Sequence, residues 1–161
     1  MKNKTTPPLF ATPMRSKDIE HFADQLRKEL NIPSDQPIDT SKILDILSNK
    51  YPDFSYQIMP DEDPMFAPDE EAKTFVQFGK IYIKASVYME ACSNPCCRAN
   101  FTIAHEIGHF YLHCHLGLLA LARTKSPKHR KVYEDPEWQA DTFASEFLMP
   151  TEPVSYTHLT L

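Results

Sequence analysis

Apolar residues recur along the chain at two spacings, and the prolines between them mark where regular structure can run, because proline is poorly tolerated inside helices and central strands. Over residues 16–30, Ile19, Phe22, Ala23, Leu26 and Leu30 follow helical spacing behind Ser16 as a cap, which predicts a helix. Pro33 and Pro37 bracket a loop. Ile43, Leu44, Ile46 and Leu47 then predict a shorter helix over residues 40–49, capped by Asp39 or Thr40. Residues 54–59 suit a short strand. The runs TFVQF and KIYIKASV alternate β-branched and aromatic residues around Gly79 and predict a hairpin turning there. Between strand and hairpin, a segment with Pro60, Pro64 and Pro68 reads as an exposed loop.

The longest proline-free window spans residues 96–126 and follows Ser93-Asn94-Pro95, a capping residue and then proline at the first helical position. A helix is expected to open there. Phe101, Ile103, Ala104, Ile107, Phe110, Tyr111 and Leu112 make it apolar nearly all round, the mark of a buried helix. A last helix opens at Asp135-Pro136 and stops before Pro150, with Ala140, Phe143, Ala144, Phe147 and Leu148 on one face. Residues 1–15 read as a flexible tail, 16–150 as one domain and 151–161 as a C-terminal tail.

Composition narrows the function. The chain has 161 residues with 14 prolines but 3 glycines, where an average protein of this length carries about 11 glycines. Gly79, Gly108 and Gly117 are too scattered for a dinucleotide turn or a phosphate cradle, so nucleotide folds of those types are excluded. The net charge of −5 argues against general nucleic-acid binding. The charge is uneven: Asp61, Glu62, Asp63, Asp69, Glu70 and Glu71 form an acidic stretch, and Arg123, Lys125, Lys128, Arg130 and Lys131 a basic one, both expected to be solvated loops. No apolar run has the length of a signal peptide or a membrane span, so a cytoplasmic location is expected. Cys92, Cys96, Cys97 and Cys114 match no common zinc spacing and are expected to be free thiols.

Polar groups inside the apolar helix carry the chemistry. His105-Glu106-Ile107-Gly108-His109 reads H-E-x-x-H, and positions four apart on a helix are about 40° apart round its axis, so both imidazoles can grip one ion. Burying two histidines and a carboxylate is costly, and a metal satisfies them together. Zinc suits such nitrogen ligands and activates water, whose proton Glu106 is placed to accept. Two residues compete as third ligand. His115 has the spacing of a longer H-E-x-x-H-x-x-G-x-x-H motif, but Leu112 stands where that motif needs glycine. Glu137 opens the last helix with Asp141 one turn on, so that the glutamate can complete the metal site while the aspartate takes a ligand histidine's N–H. Glu137 is the preferred third ligand. His113 either lines the site, ends the helix or packs. Arg98 either holds a carboxylate near the site or is solvated. Tyr133 and His129 are conceivable oxyanion donors, and neither is singled out.

The joint pattern R-x-x-F-T-x-A-H-E-x-G-H-x-x-L-H from Arg98 to His113, followed by E-x-x-A-D-x-F-A-x-E-x-L-M-P from Glu137 to Pro150, resembles the ImmA/IrrE family of metallopeptidases. The resemblance implies one zinc ion per chain on His105, His109 and Glu137, with Glu106 as general base. It also implies an intracellular protease that cleaves a helix-turn-helix repressor of mobile-element or stress-response genes. Neither direct nucleic-acid binding nor membrane association is expected. The expected fold is α+β and zincin-like: a small twisted sheet or hairpin packed on the buried H-E-x-x-H helix and on the following, ligand-bearing helix. The alternative is a non-catalytic regulator in which zinc staples the two helices and the protein acts by binding its repressor. Family members usually continue beyond their L-M-P, and residues 151–161 resemble nothing in the family, so the native protein is expected to be longer.

Overall fold

A computed structural model describes residues 9–95, 97–121 and 131–150. The fold is α+β. β1 (Leu9–Ala11) leads into α1 (Ser16–Glu29), which buries Ile19, Ala23 and Leu26. The Arg15 amide at its start donates to Asp18 at 2.9 Å, so Asp18, not Ser16, supplies the side-chain cap. α2 (Thr40–Lys50) is capped by the Asp39 carboxylate, which accepts from the Ser41 amide, and buries Ile43, Leu44 and Leu47. β2 (Ser55–Met59), β3 (Ala72–Phe75) and β4 (Lys80–Lys84) form one sheet in the order β2-β4-β3.

β4 is central, parallel to β2 and antiparallel to β3, with Phe75 opposite Lys80 and Ala72 opposite Ile83. Its Ile81 and Ile83 are fully buried on the face toward the helices. The predicted hairpin turns at Gly79, where φ is +61° and a Cβ would lie 2.0 Å from the Asp53 carbonyl, so only glycine fits. The acidic loop before β3 does more than meet water. Asp61 accepts from the Ser86 amide (3.0 Å), Glu70 pairs with Lys73 (2.9 Å), and Glu71 takes both the Arg98 guanidinium (3.1 Å) and the Thr102 hydroxyl (2.8 Å).

The helix expected to open at Ser93-Asn94-Pro95 starts later. Ser93 ends α3 (Ala85–Ser93), where its hydroxyl donates to the Met89 carbonyl at 2.9 Å. α4 (Arg98–Gly108) follows from Cys97. The strand-like run KIYIKASV hid α3, because β4 stops at Lys84 and Val87 and Ala91, four apart, then form a buried helical stripe. Past α4 the chain winds into a π-helical segment (His109–His115), followed by β5 (Leu119–Leu121), a 3-10 turn (Val132–Glu134) and α5 (Pro136–Leu148). α5 starts as predicted, with Asp135 accepting from the Glu137 amide and Pro136 in the first turn.

Part of the expected N-terminal tail is also structured. β1 pairs antiparallel with β5, and the Thr12 and Met14 amides donate to the Leu118 and Tyr133 carbonyls, each at 3.1 Å. Three residues are too short a run for alternation to announce a strand. The core lies where α4, α5 and α1 meet the buried face of the sheet and includes Ile19, Leu26, Leu44, Ile81, Ile103, Ile107, Phe143 and Phe147. Among the described residues no helix is long and apolar enough to cross a membrane. The basic stretch 123–130, including His129, lies outside the described residues, as do Cys96 and the tail 151–161.

Arg27 ties α1 to the end of α5. Its buried guanidinium donates to the carbonyls of Phe147 (2.8 Å), Pro33 (2.6 Å) and Gln36 (3.2 Å). These include a carbonyl from the last turn of α5, where the helix has no internal donors to offer. Arg27→Met keeps the length of the aliphatic stem but leaves these oxygens unpaired. Urea unfolding is expected to show a loss of about 3 kcal/mol; an unchanged midpoint would mean that water replaces the guanidinium without cost.

Candidate metal centre

α4 and α5 pack closely because Gly108 faces α5: a Cβ there would lie 3.0 Å from Phe143 Cδ1 and 3.3 Å from the Ala140 carbonyl. This contact brings the acidic first turn of α5 over His105 on α4 and His109 just past its end. His105 Nε2 lies 2.9 Å from Glu137 Oε2 and 3.1 Å from His109 Nε2, and His109 Nε2 lies 3.2 Å from Glu137 Oε1. Three donor groups thus form a close triangle, the Glu137 carboxylate turning one oxygen to each imidazole. Ligands held at the usual zinc bond lengths and tetrahedral angles sit roughly 3.3–3.5 Å apart, so His105, His109 and Glu137 fit a metal ion in both spacing and donor type.

The electrostatics agree. Burial pulls the His105 imidazole down, but the hydrogen bond to Glu137 and the charges of Glu106, Glu137 and Asp141 outweigh it and hold the ring at about 9. His105 Nδ1 donates to Asp141 Oδ1 at 2.6 Å. The hydrogen bond with His105 draws the Glu137 carboxyl well below the usual carboxylate range, against the opposing effect of burial. Without a metal the cluster therefore holds together through a proton, which a divalent cation can replace.

Residues 91–160 match the family model described as the IrrE N-terminal-like domain, a peptidase family. Over that stretch the chain is similar to the ImmA/IrrE family. It matches no curated protein and no solved structure. The α+β fold of a small sheet against helices suits a zincin-like domain of this kind. The matched range includes the triangle, Glu106 and Asp141, and it continues into residues 151–160.

Glu106 is buried beside the triangle, where the Thr74 hydroxyl on β3 donates to its carboxylate. His113 neither ends the helix nor merely packs. It is 4 % exposed inside the π-helical segment, and its Nδ1 lies 3.0 Å from His109 Nδ1. Burial and the neighbouring His109 pull it down to about 4, so it is neutral at pH 7. His115 points elsewhere: its Nδ1 pairs with Asp53 Oδ2 at 3.0 Å and its ring stacks on Tyr111. Arg98 does hold a carboxylate, that of Glu71, joining α4 to the start of β3. The Tyr133 ring lies 5.7 Å from the Lys131 ammonium; its backbone carbonyl, not its hydroxyl, reaches toward the site by accepting from Gln139. Cys92, Cys97 and Cys114 are free thiols.

Sequence reading missed Thr74 and Gln139. Nothing in the strand pattern marks Thr74, whose role depends on where β3 meets α4. Gln139 left a signal: it is a polar residue beside Ala140 on a helix with an apolar face, and it is fully buried. Its side-chain oxygen lies 2.8 Å from His113 Nε2.

Proposed function

We propose that the chain is a zinc-dependent endopeptidase of the cytoplasm, with His105, His109 and Glu137 as metal ligands, Glu106 as general base and a helix-turn-helix transcriptional repressor as substrate. The donor triangle with a buried carboxylate beside it carries the reading. The substrate class comes from the family resemblance alone. A bound zinc ion supplies Lewis acidity and lowers the pKa of water to about 7. Glu106 accepts the proton of the attacking water and delivers it to the leaving amine, which splits proton transfer between two steps of one residue. Asp141 fixes the His105 ring through Nδ1, leaving Nε2 toward the ligand triangle. Three protein ligands would leave a zinc ion held there a position for water or substrate, which a purely structural zinc does not need.

The test is incubation with a helix-turn-helix protein encoded beside this chain, with and without chelator. Cleavage that stops on chelation is expected. Intact repressor that co-purifies with the zinc-loaded chain would favour the non-catalytic regulator instead.

Thr74 gives a finer check on the base. Its hydroxyl holds the Glu106 carboxylate in one orientation. Thr74→Val keeps the shape and removes the donor, and kcat is expected to fall about tenfold with the metal content unchanged. A change in KM alone would place Thr74 in substrate binding instead.

A further inference from the structure

The side of His109 away from the triangle is wired to two distant parts of the chain. Gln139 Nε2 has two protons, and both are committed: it donates to the Thr12 carbonyl at 2.9 Å and to the Tyr133 carbonyl at 2.8 Å. Those partners can only accept, so the amide is fixed with its oxygen toward His113. His113 Nε2, 2.8 Å away, must therefore be the donor. Between His113 Nδ1 and His109 Nδ1, 3.0 Å apart, one proton completes the contact.

We infer that Gln139 and His113 form a relay that sets the tautomer of His109. Gln139 holds the proton of His113 on Nε2, His113 presents a bare Nδ1, and His109 donates its Nδ1–H there. His109 Nε2 is thereby left as a lone pair, 3.2 Å from Glu137 Oε1. Two acceptors face each other across a gap that a cation bridges. The inference rests on the reading of His109 as a metal ligand and explains how the chain prepares it. Of the two histidine ligands, His105 is oriented by a carboxylate and His109 by a neutral ring.

The winding of the chain makes the relay possible. The π-helical segment, with Leu116 N donating to the Tyr111 carbonyl five residues back (2.9 Å), carries His113 into the buried space beside α5. Both outer anchors are backbone groups, from the segment after β1 and from the 3-10 turn. His113 and Gln139 are positioning residues: they act on the metal through His109.

The experiment has two arms, both on the full chain. In the first, long-range proton–nitrogen correlation spectra of the metal-free protein, labelled with nitrogen-15 at histidine, read each tautomer directly. His109 is expected with its proton on Nδ1 and His113 with its proton on Nε2. Gln139→Leu is expected to turn the His113 signal into a tautomer mixture. A wild-type spectrum with the His109 proton on Nε2 overturns the relay, whatever the protein binds.

In the second arm, cobalt(II) titration followed by visible absorption compares wild type, His113→Leu and His113→Gln. The leucine variant is expected to bind about 10- to 100-fold more weakly. Glutamine, whose amide oxygen can accept from His109, restores most of the affinity, a rescue that loss of packing alone does not explain. Equal affinity of a folded His113→Leu overturns the proposal. If that variant does not fold, the glutamine variant and the spectra decide. Failure of the wild type to bind cobalt(II) refutes the ligand reading instead, and the spectra of the metal-free protein still decide the relay.

Discussion

Glu106→Gln is expected to keep the metal and lose cleavage by about 10²- to 10⁴-fold, the range general acid–base catalysis supplies. The substitution is nearly isosteric. The ligand triangle of His105, His109 and Glu137 does not include the Glu106 side chain, so metal content by elemental analysis should match wild type. The amide has no basic oxygen to take a proton from water at neutral pH, yet it still accepts from the Thr74 hydroxyl, so its position is held. A separation of binding from turnover therefore isolates the proton transfer. If the glutamine variant cleaves at the wild-type rate, Glu106 is not the base. If it loses the metal as well, the buried carboxylate shapes the site, and the loss of activity says nothing about proton transfer.

What was legible in the sequence followed from how local each feature is. His105 on α4 and His109 just past its end lie four residues apart on one continuous helical run, and Glu137 and Asp141 repeat that spacing on α5, so both halves of the triangle are written in short-range periodicity. Even the meeting of the halves left a trace, because Gly108 is the small residue that α5 needs opposite Phe143 and Ala140. Hidden features depend on which elements become neighbours. Thr74 reaches Glu106 only because β3 lies against α4, and Gln139 reaches His113 only because the chain past Gly108 rewinds as a π-helix, which no apolar period announces. The burial of Arg27 has no sequence signal either. Its partners are backbone carbonyls up to 120 residues away, and carbonyls carry no sequence signature. The acidic loop is largely exposed, as its charge composition predicts, and what composition could not show is that Asp61 and Glu71 find particular donors on α3 and α4.

Zinc loading is expected to stabilise the fold, and to do so increasingly as pH rises. An ion that binds only the folded chain adds about 2.7 kcal/mol when free zinc is 100 times its Kd. The pH dependence follows from His105, whose folded pKa lies at about 9 against an ordinary 6.5. In the metal-free protein this raised value contributes stability that is fully present below pH 6.5 and fades as pH climbs to 9. The metal requires the same imidazole without its proton, so its apparent affinity rises by up to about tenfold per pH unit over that window. The two trends run in opposite directions. Thermal unfolding with and without zinc should therefore show a gap in Tm that widens from pH 6.5 to 9, and calorimetric titration near pH 7.5 should register one proton released per ion bound. Glu137→Ala removes a ligand whose side chain is largely exposed, so the fold should persist while the zinc-dependent gap closes. A gap that is constant with pH would show that the proton held between α4 and α5 does not compete with the metal for His105.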